Sequence, residues 1–499
     1  MNTPPKPRTL KRFFSHAAIY GLGDLLTKFA RYILIPIYIA VMTRAEIGQL
    51  AVLQATTMIC WAVSCLGLGA SVRRFYLSQT DSDESQANES HPQEMDEATT
   101  QERDSWVAGL WWTRLVVALV PMAIIFALVW QYSEFLFPSI PVWMVLIACS
   151  TGYFRSSSDI VEAWFAIREE PMQYRTLTFC QFLLTTALIL TFVLGFSMGV
   201  LGVILGECIA VVIWTLTTGF IITRNQWPSF SNLGIKRVFR YSSPWVPHAV
   251  CMWLLVSGDR IVLQQFVSHD QIGLYDVAYL FGSVLMVIAS GLRAAWLPDY
   301  FRTANAPGGQ ERYESLTRFY MLAVFGGAFA TICFCSEAIT LFGGANYAGS
   351  VLPCKIVTLG ITCFACFIAF NQPLLLKRQT LLLAGWSLCG ITVNLTTNLL
   401  LIPKYGINAA AGATVAAYAV MMFGVLITCK IKFATPAPIL SLLMGFGILT
   451  LMLWLTHSIE NGTWQVVCVK ATLLAMFVGS LALSNRKFIN ARRQPALTK

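Results

Sequence analysis

Long, uninterrupted runs of apolar residues restrict the fold of this 499-residue chain more than any other feature. A run of about 20 such residues can cross a bilayer as an α-helix. Because lipid offers the backbone no hydrogen bonds, a spanning segment must satisfy its own polar groups. We predict fourteen transmembrane helices, at 16–40, 47–70, 106–130, 140–165, 175–195, 199–222, 244–268, 272–298, 316–336, 350–375, 379–401, 407–429, 437–457 and 463–484.

Composition agrees with a chain that lies mostly in lipid. Hydrophobic residues make up 56% of the sequence and charged residues only 12%, whereas about a quarter of an average soluble protein is charged. This balance excludes a soluble protein. We therefore expect an all-α polytopic membrane protein whose first partner is the lipid bilayer.

Residue types typical of catalytic and metal sites show no recognisable spacing here. The 14 Cys are scattered through apolar segments, which favours small membrane-compatible side chains over disulfides or zinc ligands. The His residues form no catalytic spacing with Ser, Cys or Asp; they are His16, His91, His248, His269 and His457. We expect no enzyme, no metal ion and no cofactor.

The Lys and Arg residues between the spans predict the orientation. With the N-terminus inside, the outer loops contain only Arg44 and Lys404, and the inner loops and tails are basic. Basic loops remain on the cytoplasmic side. We predict cytoplasmic tails at 1–15 and 485–499, and we interpret the net charge of +10 as a topology signal rather than an affinity for nucleic acid.

The second and third predicted spans are separated by a polar, acidic segment at 79–104. It has no apolar periodicity, which is typical of a solvated linker. We predict a disordered or marginally helical cytoplasmic loop and assign it no role.

Two parts of the chain resemble each other. "TRAEIGQLAVLQ" (43–54) follows the first span, and "SHDQIGLYDVAYL" (268–280) follows the seventh. A weaker echo relates "MGVLGVILGECIA" (198–210) to "YGINAAAGATVAA" (405–417). Chance similarity between apolar helices is the alternative. An even number of spans separates the copies, so that the two halves would be parallel repeats.

This repeat predicts two six-helix lobes followed by two further helices. The predicted division is a lobe at 16–222, a linker at 223–243, a lobe at 244–429, two helices within 430–484, and the two tails. Such lobes usually enclose a central site and rock about it.

A few charged residues lie inside the predicted spans, where each costs about 2.5–3.5 kcal/mol on insertion scales. In the first span, Asp24, Lys28 and Arg31 share one helix face, which cannot face lipid. In the fourth, Arg155, Asp159 and Glu162 repeat this spacing with the signs exchanged. Arg155 and Asp159 could instead form a structural pair.

The seventh span carries Asp259 and Arg260 side by side, about 100° apart around the helix. We expect one to face a cavity and the other a neighbouring helix, or both to form a tolerated ion pair. The further candidates are Arg114, Glu207, Asp276 and Arg293. Lys355 and Lys470 lie close enough to the outer surface to reach it with their side chains.

Together these residues predict a mixed but cation-rich cavity. The planar, forked guanidinium group of Arg matches the oxygens of a diphosphate. Removal of water strengthens the electrostatic attraction between the two groups. Nearby carboxylates would balance the empty site or bind a coupling proton or sodium ion.

The stretch "PWVPHAVCMWLLVSGDRIVLQQFVSHDQIGLYDVAYLF" resembles the hallmark region of the Wzx-type polysaccharide-biosynthesis (O-antigen) flippases. The matching residues are Pro244, Asp259, Arg260, Gly273 and Tyr275. Supporting stretches are "MTRAEIGQLAVLQ", "GLGASVRRFY", "FGGANYAGSVLPCKIVTLG" and "NLLLIPKYGINAAAGATVAAY". The resemblance covers about residues 12–430; Ala409, where relatives often have Gly, and the long loop 79–104 depart from it.

The resemblance implies the fold of the multidrug/oligosaccharidyl-lipid/polysaccharide (MOP) exporter superfamily, with two six-helix lobes in a V. It implies transport of undecaprenyl-diphosphate-linked repeat units across the bacterial cytoplasmic (inner) membrane for O-antigen, exopolysaccharide or capsule, beside a polysaccharide polymerase and a chain-length regulator. Lys28 and Arg31 look like counterparts of the cavity cations of the related lipid II flippase.

Our working hypothesis is alternating access. Lys28, Arg31 and Arg260 would contact the diphosphate, and Arg155 and Arg293 would assist at the inner mouth. Four carboxylates would balance charge or bind a coupling ion, namely Asp24, Asp259, Asp159 and Glu207. The alternatives are a multidrug antiporter like those of the MATE family, an exporter of another lipid-linked substrate, a glycan polymerase and a channel.

Overall fold

The structure, a computed structural model, describes residues 32, 34–76, 97–168, 170–224, 227–230, 234–303, 309–377, 379–433 and 439–458. These residues are helical or lie in short connections, and none of them forms a strand. Ten helices within this part of the chain are long and apolar enough to cross a membrane. The predicted class, an all-α polytopic membrane protein, is confirmed.

The helices follow the predicted spans closely. The predicted helix at 199–222 is observed as Gly199–Thr223, and that at 407–429 as Ile407–Phe433. The third span is longer than expected, because it begins at Glu97 and continues to Leu136, with a break at residue 118 and a kink at Tyr132. Only the end of the first predicted span is described, at 34–41, and the last span, 463–484, lies outside the described residues.

The chain divides into two compact units. The central unit, Gln49–Gln265, begins within the second predicted span and ends within the seventh. Its helices are α2 (Arg44–Ser64), α3 (Leu68–Phe75), α4 (Glu97–Val117), α5 (Leu119–Leu136), α6 (Val142–Arg155), α7 (Ser158–Ile167), α8 (Pro171–Leu190), α9 (Gly199–Thr223), α10 (Ile235–Ser242) and α11 (Trp245–Leu263).

The split unit joins Met1–Gly48 to Phe266–Lys499. Its described helices are α1 (34–41), the start of α2, α12 (His269–Thr303), α13 (Gly309–Gly343), α14 (Val351–Phe370), α15 (Gln372–Leu376), α16 (Thr380–Tyr405), α17 (Ile407–Phe433) and α18 (Ile439–Ser458). The seventh span, α11, therefore groups with the preceding helices. The lobe boundaries at 16–222 and 244–429 stay a prediction.

Small residues let the helices of the split unit approach closely. α14 and α17 pack along much of their length. A Cβ atom added at Gly360 would lie 3.3 Å from the Thr414 methyl carbon, and Ala410, Ala413 and Ala417 are fully buried on α17. Small interfacial residues are the usual means of helix packing in membranes, where burial from water supplies little driving force.

The two glycines of the sequence repeat meet within the split unit. A Cβ added at Gly48 would lie 2.0 Å from the carbonyl oxygen of His269, and one added at Gly273 would lie 2.1 Å from that of Arg44. The relation is reciprocal, because each glycine faces the residue four positions before the other. The start of α2 and the start of α12 thus cross in contact, which only a residue without a side chain permits.

The second and fourth spans of the central unit are also interrupted. The second span breaks between α2 and α3, where Leu66 and Gly67 both have left-handed φ angles, of 51° and 65°. The fourth breaks between α6 and α7, at Ser156 and Ser157. An interruption at membrane depth exposes backbone groups that must find partners inside the protein. Charged side chains supply those partners.

Candidate functional site

The pair Asp259–Arg260 of the hallmark region lies at the last turn of α11, nearer the end of this span than its middle. Both residues are almost completely buried, with 2% and 4% of their surface exposed. Arg260 Nη1 donates hydrogen bonds to Asp259 Oδ1, at 2.8 Å, and to the carbonyl of Val256, at 3.0 Å. The long Arg260 side chain therefore folds back onto its neighbour.

This geometry corresponds to the ion-pair alternative rather than to two diverging side chains. A buried pair gains little net stability over apolar residues, but removing one partner strands a charge and costs about 3–5 kcal/mol. The adjacent carboxylate holds the guanidinium in place without a net local charge. An arrangement of this kind can present a cation to an anionic ligand while the empty site remains neutral.

Trp253 lies one and a half to two turns before the Asp259–Arg260 pair on α11 and belongs to an aromatic pair. Trp253 of α11 meets Trp61 of α2 edge to face, with ring centroids 5.6 Å apart. Both side chains are half-buried. Their rings offer a surface of the kind on which sugars stack, although aromatic pairs also serve as ordinary packing.

Arg114 of α4 is fully buried and lies at the breaks of the second and fourth spans. Its guanidinium donates to the carbonyl of Tyr153 and to the hydroxyl of Ser156, where α6 ends. Its Nε lies 3.5 Å from the carbonyl of Ser64, the last residue of α2. Because helix C-termini carry partial negative charge, one cation compensates for two interrupted helices.

Asp159 is the anionic counterpart of Arg114 at the same two breaks. It lies in the first turn of α7, and its Oδ2 accepts a hydrogen bond of 2.9 Å from the backbone N–H of Gly69, near the start of α3. Helix N-termini favour anions. The cation paired with Asp159 in the described residues is Arg73, at 3.9 Å, and not Arg155 as the i, i+4 spacing suggested.

The breaks of the second and fourth spans are therefore charge-matched. The cation Arg114 caps the two helices that end there, and the anion Asp159 lies where two helices begin. The sequence marked both residues as candidates for a cavity but did not predict the breaks. The signals that could have revealed them are "GLG" at 67–69 and "SSS" at 156–158.

The end of the acidic loop also has a structural role that the sequence did not indicate. Residues 97–104 are helical, and Asp104 is buried. Its carboxylate accepts hydrogen bonds of 2.7 Å from both Tyr76 and Trp164 and pairs with Arg168. Burial, and then the bond to Asp104, raises the pKa of the Tyr76 hydroxyl, which therefore remains a donor at neutral pH. Residues 77–96 lie outside the described part.

The remaining predicted site residues are distributed through the chain. Glu207 is half-buried and accepts a 3.2 Å hydrogen bond from Gln54. Arg155 and Arg293 are half-buried, and Arg293 Nε has no hydrogen-bond partner among the described residues. Asp24, Lys28 and Arg31 lie outside the described residues. The structure thus brings Asp259 to Arg260, and the role of the complete set stays a prediction.

The side chain of Lys355 does not extend to the outer surface, contrary to our expectation. It is 5% exposed, and its ammonium donates to the hydroxyl of Thr456, at 3.0 Å, and to the carbonyl of the same residue, at 3.2 Å. α14 is thereby joined to α18, so the thirteenth span covers the position that we expected to be open. Lys470 lies outside the described residues.

In the described ranges, no three His, Cys, Asp or Glu side chains are grouped so that they could hold a metal ion. The chemistry available in the described core is that of buried charges, backbone ends and aromatic rings. These groups can bind an ion or a polar head group.

Comparison with known proteins agrees with this architecture. The structure resembles that of the lipid II flippase MurJ in an inward closed conformation, with a TM-score of 0.65 at 13% identity over 92% of this chain and 100% of that one. It also resembles the MATE transporter VcmN of Vibrio cholerae, with a TM-score of 0.57 at 13% identity over 85% and 97%. The fold is that of the MOP transporters.

Sequence comparison is more specific. A curated relative, "Probable low-salt glycan biosynthesis flippase Agl15" of Haloferax volcanii, is 24% identical over 232 residues, which are 44% of this chain. The chain spans about half of that relative, 46% of its length. The family profile described as "Polysaccharide biosynthesis protein" matches residues 14–303, more than half of the sequence. The expected resemblance is confirmed, and the chain belongs to the polysaccharide biosynthesis protein family.

Proposed function

We propose that this protein is a flippase for undecaprenyl-diphosphate-linked oligosaccharide repeat units. It would move them from the cytoplasmic to the periplasmic leaflet for the synthesis of O-antigen, exopolysaccharide or capsule. The observation that carries the proposal is the buried Asp259–Arg260 pair in the signature stretch of a chain that belongs to the polysaccharide biosynthesis family. A relative named as a glycan flippase supports it.

The diphosphate would bind to cations contributed by several spans. Lys28, Arg31 and Arg260 would contact it, and Arg155 and Arg293 would assist at the inner mouth. A guanidinium fork matches phosphate oxygens in geometry as well as charge. The polyprenyl tail would remain in lipid while the glycan crosses the water-filled interior.

The charges of the binding site must be balanced both when the substrate is bound and when the empty transporter returns to its starting state. Asp259 would retain Arg260 when the site is empty, and Asp24, Asp159 or Glu207 would balance charge or bind a coupling ion. Each elementary charge that crosses the membrane field contributes about 2.3 kcal/mol per 100 mV. A single charge can therefore bias the cycle.

The proposed location is the bacterial cytoplasmic (inner) membrane, with both termini in the cytoplasm. This orientation follows from the basic inner loops. A polysaccharide polymerase and a chain-length regulator would act on the product at the outer surface.

The experiment is complementation of a host that lacks its own flippase, with surface polysaccharide and membrane insertion measured in parallel. Arg260→Ala should abolish surface polysaccharide. Because Arg260→Ala removes the cation that pairs with the buried Asp259 carboxylate, the double variant Asp259→Asn/Arg260→Gln tests the charge in a background that keeps polar side chains but has neither ion. It should insert normally and remain inactive, whereas Lys404→Ala, at an exposed position in the last turn of α16, should complement fully.

Lys28→Ala and Arg31→Ala extend the test to the first span. Full surface polysaccharide in these variants and in Arg260→Ala would refute the proposed cation site. Accumulation of lipid-linked repeat units in the cytoplasmic leaflet of the inactive variants distinguishes a flippase from a drug exporter, for which the glycan intermediates would be unaffected.

A further inference from the structure

The short helix α10, Ile235–Ser242, lies in the connection between two consecutive spans. α9 ends at Thr223 and α11 begins at Trp245, so α10 lies on the side of the membrane where α9 ends and α11 begins. α10 and α11 are separated only by Ser243 and Pro244, both in helical conformation. α10 therefore continues the span beyond the hydrocarbon core, at the depth of the lipid head groups.

One side of α10 is packed on the protein and the other is basic. Val238 and Ser242 are buried. The side chains of Lys236, Arg237 and Arg240 are exposed on the opposite side. Between Glu207 and Asp259 the sequence contains no acidic residue.

Packing fixes the direction in which this basic side points. Ser71 of α3 donates a 3.2 Å hydrogen bond to the carbonyl of Val238. The Arg237 guanidinium lies 4.8 Å from the ring centroid of Phe75, and this ring meets that of Tyr241 at 5.3 Å. The orientation of the helix is thus set by several independent contacts with α3.

Exposed aromatic side chains lie in the same connection and at the start of α11. Trp227 is 91% exposed, Trp245 48% and Tyr241 39%. The backbone around Trp227 is held by Ser105, whose hydroxyl donates to the carbonyl of Trp227 at 2.5 Å. Trp and Tyr are typical of the membrane–water interface, where the ring lies among acyl chains and the polar atom among head groups.

We propose that α10, together with Trp227 and Trp245, is a binding surface for the head groups of anionic phospholipids. The occupant is argued from charge complementarity, because a fixed cluster of three cations, with no acidic residue in its own connection, faces the head-group layer. Each Lys or Arg near an anionic membrane surface strengthens binding about fivefold. This surface is independent of the transported substrate and would hold the connection between α9 and α11 against the membrane.

The test uses the purified full-length protein in detergent, titrated with phosphatidylglycerol or with phosphatidylcholine of the same acyl chains, and native mass spectrometry of the bound lipids. The wild type should prefer phosphatidylglycerol. The variant Lys236→Gln/Arg240→Gln should lose up to about 25-fold of this preference at low salt. The control Lys430→Gln/Lys432→Gln, which removes two exposed charges at the end of α17, should retain it.

Three further results decide between occupants. The exchange variant Lys236→Arg/Arg240→Lys should bind like the wild type, which separates charge from misfolding. Inorganic pyrophosphate at the same phosphate concentration should not displace phosphatidylglycerol. Unchanged preference in Lys236→Gln/Arg240→Gln, an equal loss in the control, or efficient displacement by pyrophosphate would each overturn the proposal.

Discussion

The crossing of Gly48 and Gly273 gives the sharpest prediction about packing. Gly48→Ala would place a Cβ 2.0 Å from the His269 carbonyl oxygen, and Gly273→Ala would place one 2.1 Å from that of Arg44, whereas ordinary contacts begin near 3.4 Å. The obstacle is backbone in both cases, so the two helix starts must separate by more than about 1 Å. Overpacking of this kind typically costs about 1–3 kcal/mol.

The two substitutions should not be additive, because one separation of the helices relieves both contacts. The double variant should therefore cost less than the sum of the single variants, by about 0.5–3 kcal/mol. Thermal unfolding of the purified variants measures this, with Gly412→Ala as the control because its Cβ would meet nothing within 4 Å. Single variants as stable as this control, or fully additive losses, would refute the contact.

Three further predictions concern the buried charges. Arg114→Met should lower the unfolding midpoint, since each buried acceptor left without a donor costs about 1–3 kcal/mol, and an unchanged midpoint would contradict the capping role. Gly69→Ala places a Cβ 2.5 Å from the Asp159 carboxylate and should speed limited proteolysis of the central unit, whereas Gly326→Ala, in open space, should not. Lys355→Met should increase amide exchange in α18, and adding Thr456→Val should increase it no further; additive effects would contradict a shared contact.

The sequence predicts the spans well because one local property, the length of an apolar run, decides whether a segment can cross the bilayer. It does not predict the interruptions at Leu66–Gly67 and at Ser156–Ser157. These interruptions depend on Arg114, which is distant from both in the sequence and becomes a partner only after the helices have packed. In the sequence, a short run of small or polar residues within a span looks the same whether the helix continues through it or ends there.

The positions of individual charges were predicted less well, for a related reason. Lys355 lies near the end of its span, and the pattern cannot show that α18 covers it. The adjacency of Asp259 and Arg260 left open whether the two side chains diverge or form an ion pair, because an Arg side chain is long enough to return to the preceding residue. Sequence spacing describes where a side chain starts, whereas the outcome depends on its reach and on what packs over it.

The buried ions of this protein have two different roles. Their hydrogen-bond partners distinguish these roles, whereas burial within the membrane alone does not. Arg114 joins α4 to the ends of α2 and α6, so it holds the central unit together and its loss should appear as instability. The contact between Arg260 and Asp259 lies within one turn of α11. Neutralising both members of this pair removes a charge without stranding its partner. We therefore expect Asp259→Asn/Arg260→Gln to keep the unfolding midpoint and lose transport, and Arg114→Met to lose stability first.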